Sequence, residues 1–360
     1  MSLLIGASSR HPNTSLDTSF QHLMTGGASN PLGGAGTGPL RARRTFTSGA
    51  PPSNWANTPA ASDIPLHGVD LSWWSCKGSV TTMAAGGYAA ALNGLITTFP
   101  AQQAGIWTHH HEPENNGFTP AQFRAAQKAF HYHIVTNRGT KDIRTAIVVE
   151  TRTSDPQGPY DLEDWVPVYQ AGDTIPAGYS AGDPAFDLWG WDFYDWDTSG
   201  IYKREWGPVS GGNQLGLTGY IDRIVSIIQS YPGGGGFTRA DLVWAIGEIA
   251  TKKPNAVADD WFADIVTNAA ADTSICEAIC WFDNTGGFGD SYMHPSVQAW
   301  IRANGAEFGN GGPATVEDTL TFPYAVDGPT VVEDTLTFPY AVDGEDPVAS
   351  GEFVGWGIPL

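Results

Sequence analysis

Hydrophobic positions along the chain fall into short β-rich runs separated by longer stretches with helical spacing, and the two kinds alternate. Such alternation is the mark of a parallel sheet whose strands are joined by crossover helices. The pattern predicts strands over residues 2–8, 43–47, 69–75, 105–110, 143–151, 185–194, 241–249 and 275–282. Helices are expected over 83–95, 120–137, 217–231, 256–270 and 294–304. Thr119 is a natural N-cap, and Pro120 sits at the first helical position, where its missing N–H has no helical partner to lose. Eight strands with intervening helices in about 300 residues is the count of a (β/α)8 TIM barrel, which is the fold class expected for residues 1–310.

The pattern changes after that. Residues 313–328 are followed at once by a near copy, residues 329–344, a period of 16. Thr, Leu, Thr and Phe alternate as in a strand, and Asp-Gly marks a turn. Two such units cannot bury a core alone. Residues 311–360 are therefore expected to form a β-rich extension whose strand edges make an assembly contact.

Composition narrows the function classes. Eighteen basic residues against 38 acidic ones leave a formal charge of −20. A nucleic-acid backbone or an anionic membrane would repel such a surface. No apolar run has the roughly 18 residues of a membrane span, and the first ten residues lack the basic region of a signal peptide. The three cysteines, Cys76, Cys276 and Cys280, are too few and scattered for a disulfide framework. Fourteen tryptophans suit a large core, and also the stacking of flat sugar faces.

In a barrel of this kind chemistry belongs at the carboxyl ends of the strands. There the sequence puts His109-His110-His111-Glu112 after the fourth strand, and Gly247-Glu248 on the seventh. Two carboxylates facing each other across the mouth can protonate a glycosidic oxygen and attack the anomeric carbon, with a separation of about 5–5.5 Å for retention. Glu150, near the end of the fifth strand, ranks behind Glu248 as nucleophile. The His-Glu-x-x-His spacing of zinc hydrolases is absent, so neither metal nor cofactor is expected. For His109 or His110 a buried structural place is the more common fate.

His111-Glu112, the run Asp187-x-x-Gly190-x-Asp192-x-Tyr194, Gly247-Glu248 and Trp281 together resemble glycoside hydrolase family 26, a family of retaining (β/α)8 glycosidases, over roughly residues 1 to 305. The resemblance implies Glu112 as acid/base and Glu248 as nucleophile. It implies Tyr194 as a hydrogen-bond partner of the nucleophile, Trp281 as a stacking floor for sugar, and His111 as holding substrate or Glu112. Asp192 would join the substrate-binding set, and Arg44 would be the basic residue near the nucleophile. Mannanases of that family usually continue His-Glu with Met-Asn, whereas this chain has Pro113-Glu114-Asn115. That run, the acidity and the repeated tail also resemble the barrel domains of tail proteins of actinobacterial phages. The resemblance implies a virion protein that meets a host surface polysaccharide and contacts other tail proteins through residues 313–360, without nucleic acid or membrane insertion.

Overall fold

The computed structural model describes residues 3–9, 40–62, 69–151, 161–195, 216–251 and 255–283, with Ser296, Val297, Trp300, Ile301 and Asn304, and the strands 315–325 and 331–341. The chain divides into two units, Met1–Gly309 and Asn310–Leu360.

In the first unit eight parallel strands close into a barrel in sequence order. They are β1 (Leu4–Ser9), β2 (Ala42–Thr47), β3 (Leu71–Cys76), β4 (Ala104–His111), β5 (Ile143–Glu150), β6 (Leu188–Asp195), β7 (Val243–Thr251) and β8 (Ile275–Asp283). β8 pairs back onto β1, with Ala7 opposite Trp281. The crossovers include α1 (Val80–Ala84), α2 (Ala89–Thr98), α3 (Pro120–Asn137), the short α4 (Leu162–Trp165), α5 (Leu217–Ser230) and α6 (Asn255–Ala271). The (β/α)8 TIM barrel is thus the fold.

Strands in an all-parallel barrel bury both faces, which explains their unbroken apolar runs. Trp73, Ile106, Val148, Leu188 and Cys280 belong to the cluster that fills the barrel. Trp189, Trp191, Ile246, Trp261 and Trp281 pack in the layer between barrel and helices. Trp73 takes the most room inside, and β6 yields it. A Cβ on Gly190 would lie 2.8 Å from Val148 Cγ2 and 3.3 Å from the Trp73 ring.

α3 starts as expected: Thr119 and Gln122 form a capping box with Pro120 in the first turn. The single helix expected over 83–95 is instead two. Gly86 takes a left-handed φ of 74° and the chain turns there between α1 and α2. β6 begins three residues later than expected, which leaves Asp187 at the strand's entry, the barrel end opposite Glu112. Of the helix expected over 294–304, Ser296, Val297, Trp300, Ile301 and Asn304 are helical, and the rest lies outside the described residues.

In the second unit β9 (Thr315–Ala325) and β10 (Val331–Ala341) form a two-stranded antiparallel sheet. The register pairs Leu320 with Leu336, its own copy in the other repeat. The same register sets Glu317 opposite Pro339 and Asp318 opposite Phe338.

Candidate active site

The last turn of β4 is bent by a register shift between Thr108 and His111. His110 and Glu112 both take left-handed φ values, 57° and 47°, uncommon for residues with a side chain. The kink sorts the three histidines. His109 turns outward against Phe130 of α3, and His110 packs on Phe118 with its Nε2 on the Gly78 carbonyl. His111 and Glu112 face the mouth. Burial, with the second imidazole alongside, pushes His109 down to about 3, so it is neutral near pH 7. Backbone pairing continues past the kink: the Glu112 N–H donates to Val148 O at 2.9 Å. The turn that follows is held by Asn116, whose amide donates to the His111 carbonyl at 3.0 Å.

β7 delivers Glu248 through a second irregularity. The register skips one residue, Gly247, so that Asp192 lies opposite Glu248. A Cβ on Gly247 would sit 2.0 Å from Arg44 Nη1. Only glycine lets the guanidinium come this close. Arg44, wholly buried on β2, lies over the rings of Phe46 and Trp73 at 4.9 and 4.8 Å. Its Nη1 donates to Asp192 Oδ1 at 2.6 Å and stands 3.8 Å from Glu248 Oε1.

His111 is the junction. Its Nε2 is bonded to Asp192 Oδ2 and lies 3.9 Å from both Glu112 Oε1 and Glu248 Oε1. Those two carboxylate oxygens are therefore no further apart than twice 3.9 Å, a ceiling that admits the roughly 5–5.5 Å of a retaining pair. Tyr194 OH donates to Glu248 Oε2.

Electrostatics separates the two acids. Burial raises both above the usual carboxylate range, with the charges of Asp192 and Glu248 adding to it at Glu112. Arg44 and the Tyr194 hydroxyl oppose the rise at Glu248 and favour its anion. Glu112, with its side chain 19% exposed against 1% for Glu248, sits closer to the opening. His111 is pushed down to about 4 by burial and by the Arg44 charge, so its ring is neutral near pH 7.

Two expectations are corrected. Trp281 is no floor for sugar: it is 1% exposed, with its ring centre 5.7 Å from that of Phe262 and 6.5 Å from that of Trp261, both on α6. Strand alternation explains the error. Cys280 points into the barrel, so Trp281 must point out and Phe282 in. The Phe282 ring meets that of Tyr194 at 5.7 Å. Asp192 is not open to a ligand either. It is fully buried, with one oxygen on Arg44 and the other on His111, and it organises the site from beneath. The buried Arg44 likewise supports Glu248 rather than touching substrate.

His111, Glu112 and Asp192 offer atoms within 4.8 Å of one another, close enough for a metal ion. The donor set does not suit one. The His111 Nε2 and both Asp192 oxygens are already engaged with each other and with Arg44.

Two residues little weighted in the sequence also enter the site. The Glu114 Oε1 accepts the Glu150 N–H at 2.6 Å, clipping the turn after β4 to the end of β5. Asn115 Nδ2 reaches Glu112 Oε2 at 3.4 Å and Glu150 Oε2 at 3.5 Å. No local pattern announces this bridge, since Asn115 and Glu150 are 35 residues apart.

No family model and no curated protein matches the chain. Several solved structures do. A family 26 glycoside hydrolase, GH26C, from a Muricauda species aligns over 83% of this chain and 85% of its own, at 10% identity and a TM-score of 0.45. A Bacteroidetes-affiliated family 5 cellulase aligns over 87% and 93%, at 14% identity and a TM-score of 0.44. A family 2 β-galacturonidase from Eisenbergiella tayi aligns over 78% of this chain but 43% of its own, at 10% identity and a TM-score of 0.39. What this barrel does is decided by its own side chains.

Proposed function

We propose that the barrel is a retaining glycoside hydrolase. The observation that carries this reading is the placement of Glu112 and Glu248, from opposite sides of the mouth, each 3.9 Å from the same imidazole nitrogen. Glu248, faced by Arg44 and Tyr194, is the nucleophile. Glu112, whose proton affinity is raised by burial and by the acids around it, is the acid. Glu248 attacks the anomeric carbon while Glu112 gives its proton to the leaving oxygen. Glu112 then takes a proton from water, whose oxygen displaces Glu248 from the sugar.

A panel of 4-methylumbelliferyl β-glycosides, β-mannan, β-glucan and actinobacterial cell-wall polysaccharide tests the reading. Hydrolysis is expected from the wild-type protein, with a loss of roughly a thousand-fold or more in Glu248→Gln. The first product seen by proton NMR is expected to keep the anomeric configuration of the substrate. An equally active Glu248→Gln variant would sink the proposal, and an inverted first product would sink retention. A second reading, a barrel that grips glycan without cutting it, draws on the burial of Glu248, which is 1% exposed. Binding of a polysaccharide with no cleavage by the wild type would favour it.

The setting we infer is a phage tail, with the barrel acting on a polysaccharide of the host surface. The supporting features are the formal charge of −20 and the paired repeats of β9 and β10, whose strands suit pairing with other tail proteins. Removing residues 310–360 is expected to abolish incorporation into particles and to spare hydrolysis. Particles that still carry the truncated protein at full occupancy would refute the docking role.

A further inference from the structure

Two successive carbonyls, those of His111 and Glu112, converge on one side-chain nitrogen. Asn116 Nδ2 donates to the first at 3.0 Å and to the second at 2.5 Å. In an extended strand neighbouring carbonyls point to opposite sides, so a single amide does not reach both. They meet here because Glu112 leaves the strand direction with φ 47° and ψ 64°. That conformation is disfavoured twice over. It is left-handed at a residue with a side chain, and Glu112 precedes Pro113, where extended backbone is the preferred form. A strained residue persists where its surroundings over-determine it. Main-chain contacts contribute: the Glu112 N–H is tied to Val148 O at 2.9 Å, and the Glu112 carbonyl accepts the Asn115 N–H at 3.0 Å. Those contacts need no particular side chain, whereas the two from Asn116 need its amide.

We propose that Asn116 is a positioning residue: by clamping both carbonyls it holds Glu112 in the left-handed form and so aims its carboxyl at the leaving oxygen. The inference rests on the acid/base role given to Glu112 above. With the N–H fixed to β5, a change of φ turns the Cα–Cβ bond about the N–Cα axis and carries the carboxyl with it. The carboxyl then leaves its place 3.9 Å from His111 Nε2, the atom that lies equally far from Glu248. Proton transfer depends on reach, and a misplacement of about 1 Å is enough to cost about a hundred-fold in rate. Asn116 gives and takes no proton; it acts through Glu112.

Leaving groups test this, because 2,4-dinitrophenolate departs as a stable anion whereas the 4-methylumbelliferyl oxygen draws on the proton of Glu112. The value of kcat/KM reports the first displacement, in which Glu112 acts as acid alone. It is measured in the full chain for β-mannosides and β-glucosides of both leaving groups. Asn116→Ala is expected to lose about thirty-fold on the umbelliferyl glycoside and to stay within about threefold of wild type on the dinitrophenyl one. Asn116→Asp, equal in size but with a carboxylate that cannot donate, is expected to follow it. Equal losses on both leaving groups, or an Asn116→Asp protein as active as wild type, would overturn the clamp. If Asn116→Ala does not fold, Asn116→Asp decides alone. If the wild type cleaves none of these glycosides, that result counts against the proposed activity, and crystal structures of the wild type and the variants decide the clamp. Glu112 is then expected at negative φ in the variants, and a left-handed Glu112 kept in both would overturn it.

Discussion

An acid precedes β6 at its entry, Asp187, and another, Asp192, lies toward its exit, and the carboxyls at the two ends of the barrel are held in opposite ways. At its entry Asp187 accepts the Thr145 N–H at 2.8 Å and the Tyr179 hydroxyl at 3.0 Å, with Arg138 Nη1 at 3.2 Å and His131 Nε2 at 3.8 Å. Burial alone would raise this carboxyl, but His131, Arg138 and the Thr145 N–H outweigh it and hold Asp187 well below the usual range. At the exit Asp192 is shared between Arg44 and His111, while the neighbouring Glu112 and Glu248 lie above the usual range because burial and like charge exceed their donors. One end of the barrel supplies donors enough to make an acid a fixed anion. At the other, burial and like charge outweigh the donors at Glu112 and Glu248 and raise their proton affinity. That is the division between stability at the amino-terminal face and chemistry at the carboxyl-terminal face.

The largest effect that can sharpen this contrast is at Asp187. Asp187→Asn leaves buried donors and the Arg138 charge without their anion, and is expected to cost about 3 kcal/mol at pH 7. Because the folded carboxyl is depressed, its stabilisation is present above the unfolded value near 4 and fades as pH falls through the folded one. Denaturant melts at pH 7 and pH 3 check this, and an equal penalty at both would break the comparison. The smaller effect, of opposite sign, is at Glu112. Its folded carboxyl is raised, so it supports folding below the unfolded value near 4.5 and loses that support as pH rises through the folded one. Glu112→Gln is therefore expected to raise Tm at pH 7 by roughly 2 °C and to change it little at pH 3, by calorimetry. A lowered Tm at pH 7 would mean that the mouth is built for stability after all.

Much of this was legible from the chain. β4 through β8 follow the apolar runs closely, and Thr119-Pro120 marks the start of α3 because capping is a local property. Glu112 and Glu248 could be found because barrel chemistry gathers where strands end. The misreadings share a cause. Trp281 was placed on the wrong face because one residue of parity decides inside from outside, and no parity is visible in a strand buried on both sides. The start of β6 is expected at 185 and falls at Leu188 because strand boundaries in continuous apolar sequence are weakly marked.

The sequence by itself determined the architecture: the beat of strands and helices, the acidic composition, the repeated tail and the two glutamates at strand ends. Only the tertiary structure decided what state those groups are in. The register shift in β4 turns His109 and His110 outward and brings His111 to within 3.9 Å of both glutamates. The bare backbone at Gly247 admits Arg44, and ring closure brings β2, β4, β5, β6 and β7 to one mouth. A carboxyl's proton affinity depends on the charges and donors within a few ångströms. Residues up to 204 positions apart supply them here, from Arg44 to Glu248, and no local pattern encodes such a meeting.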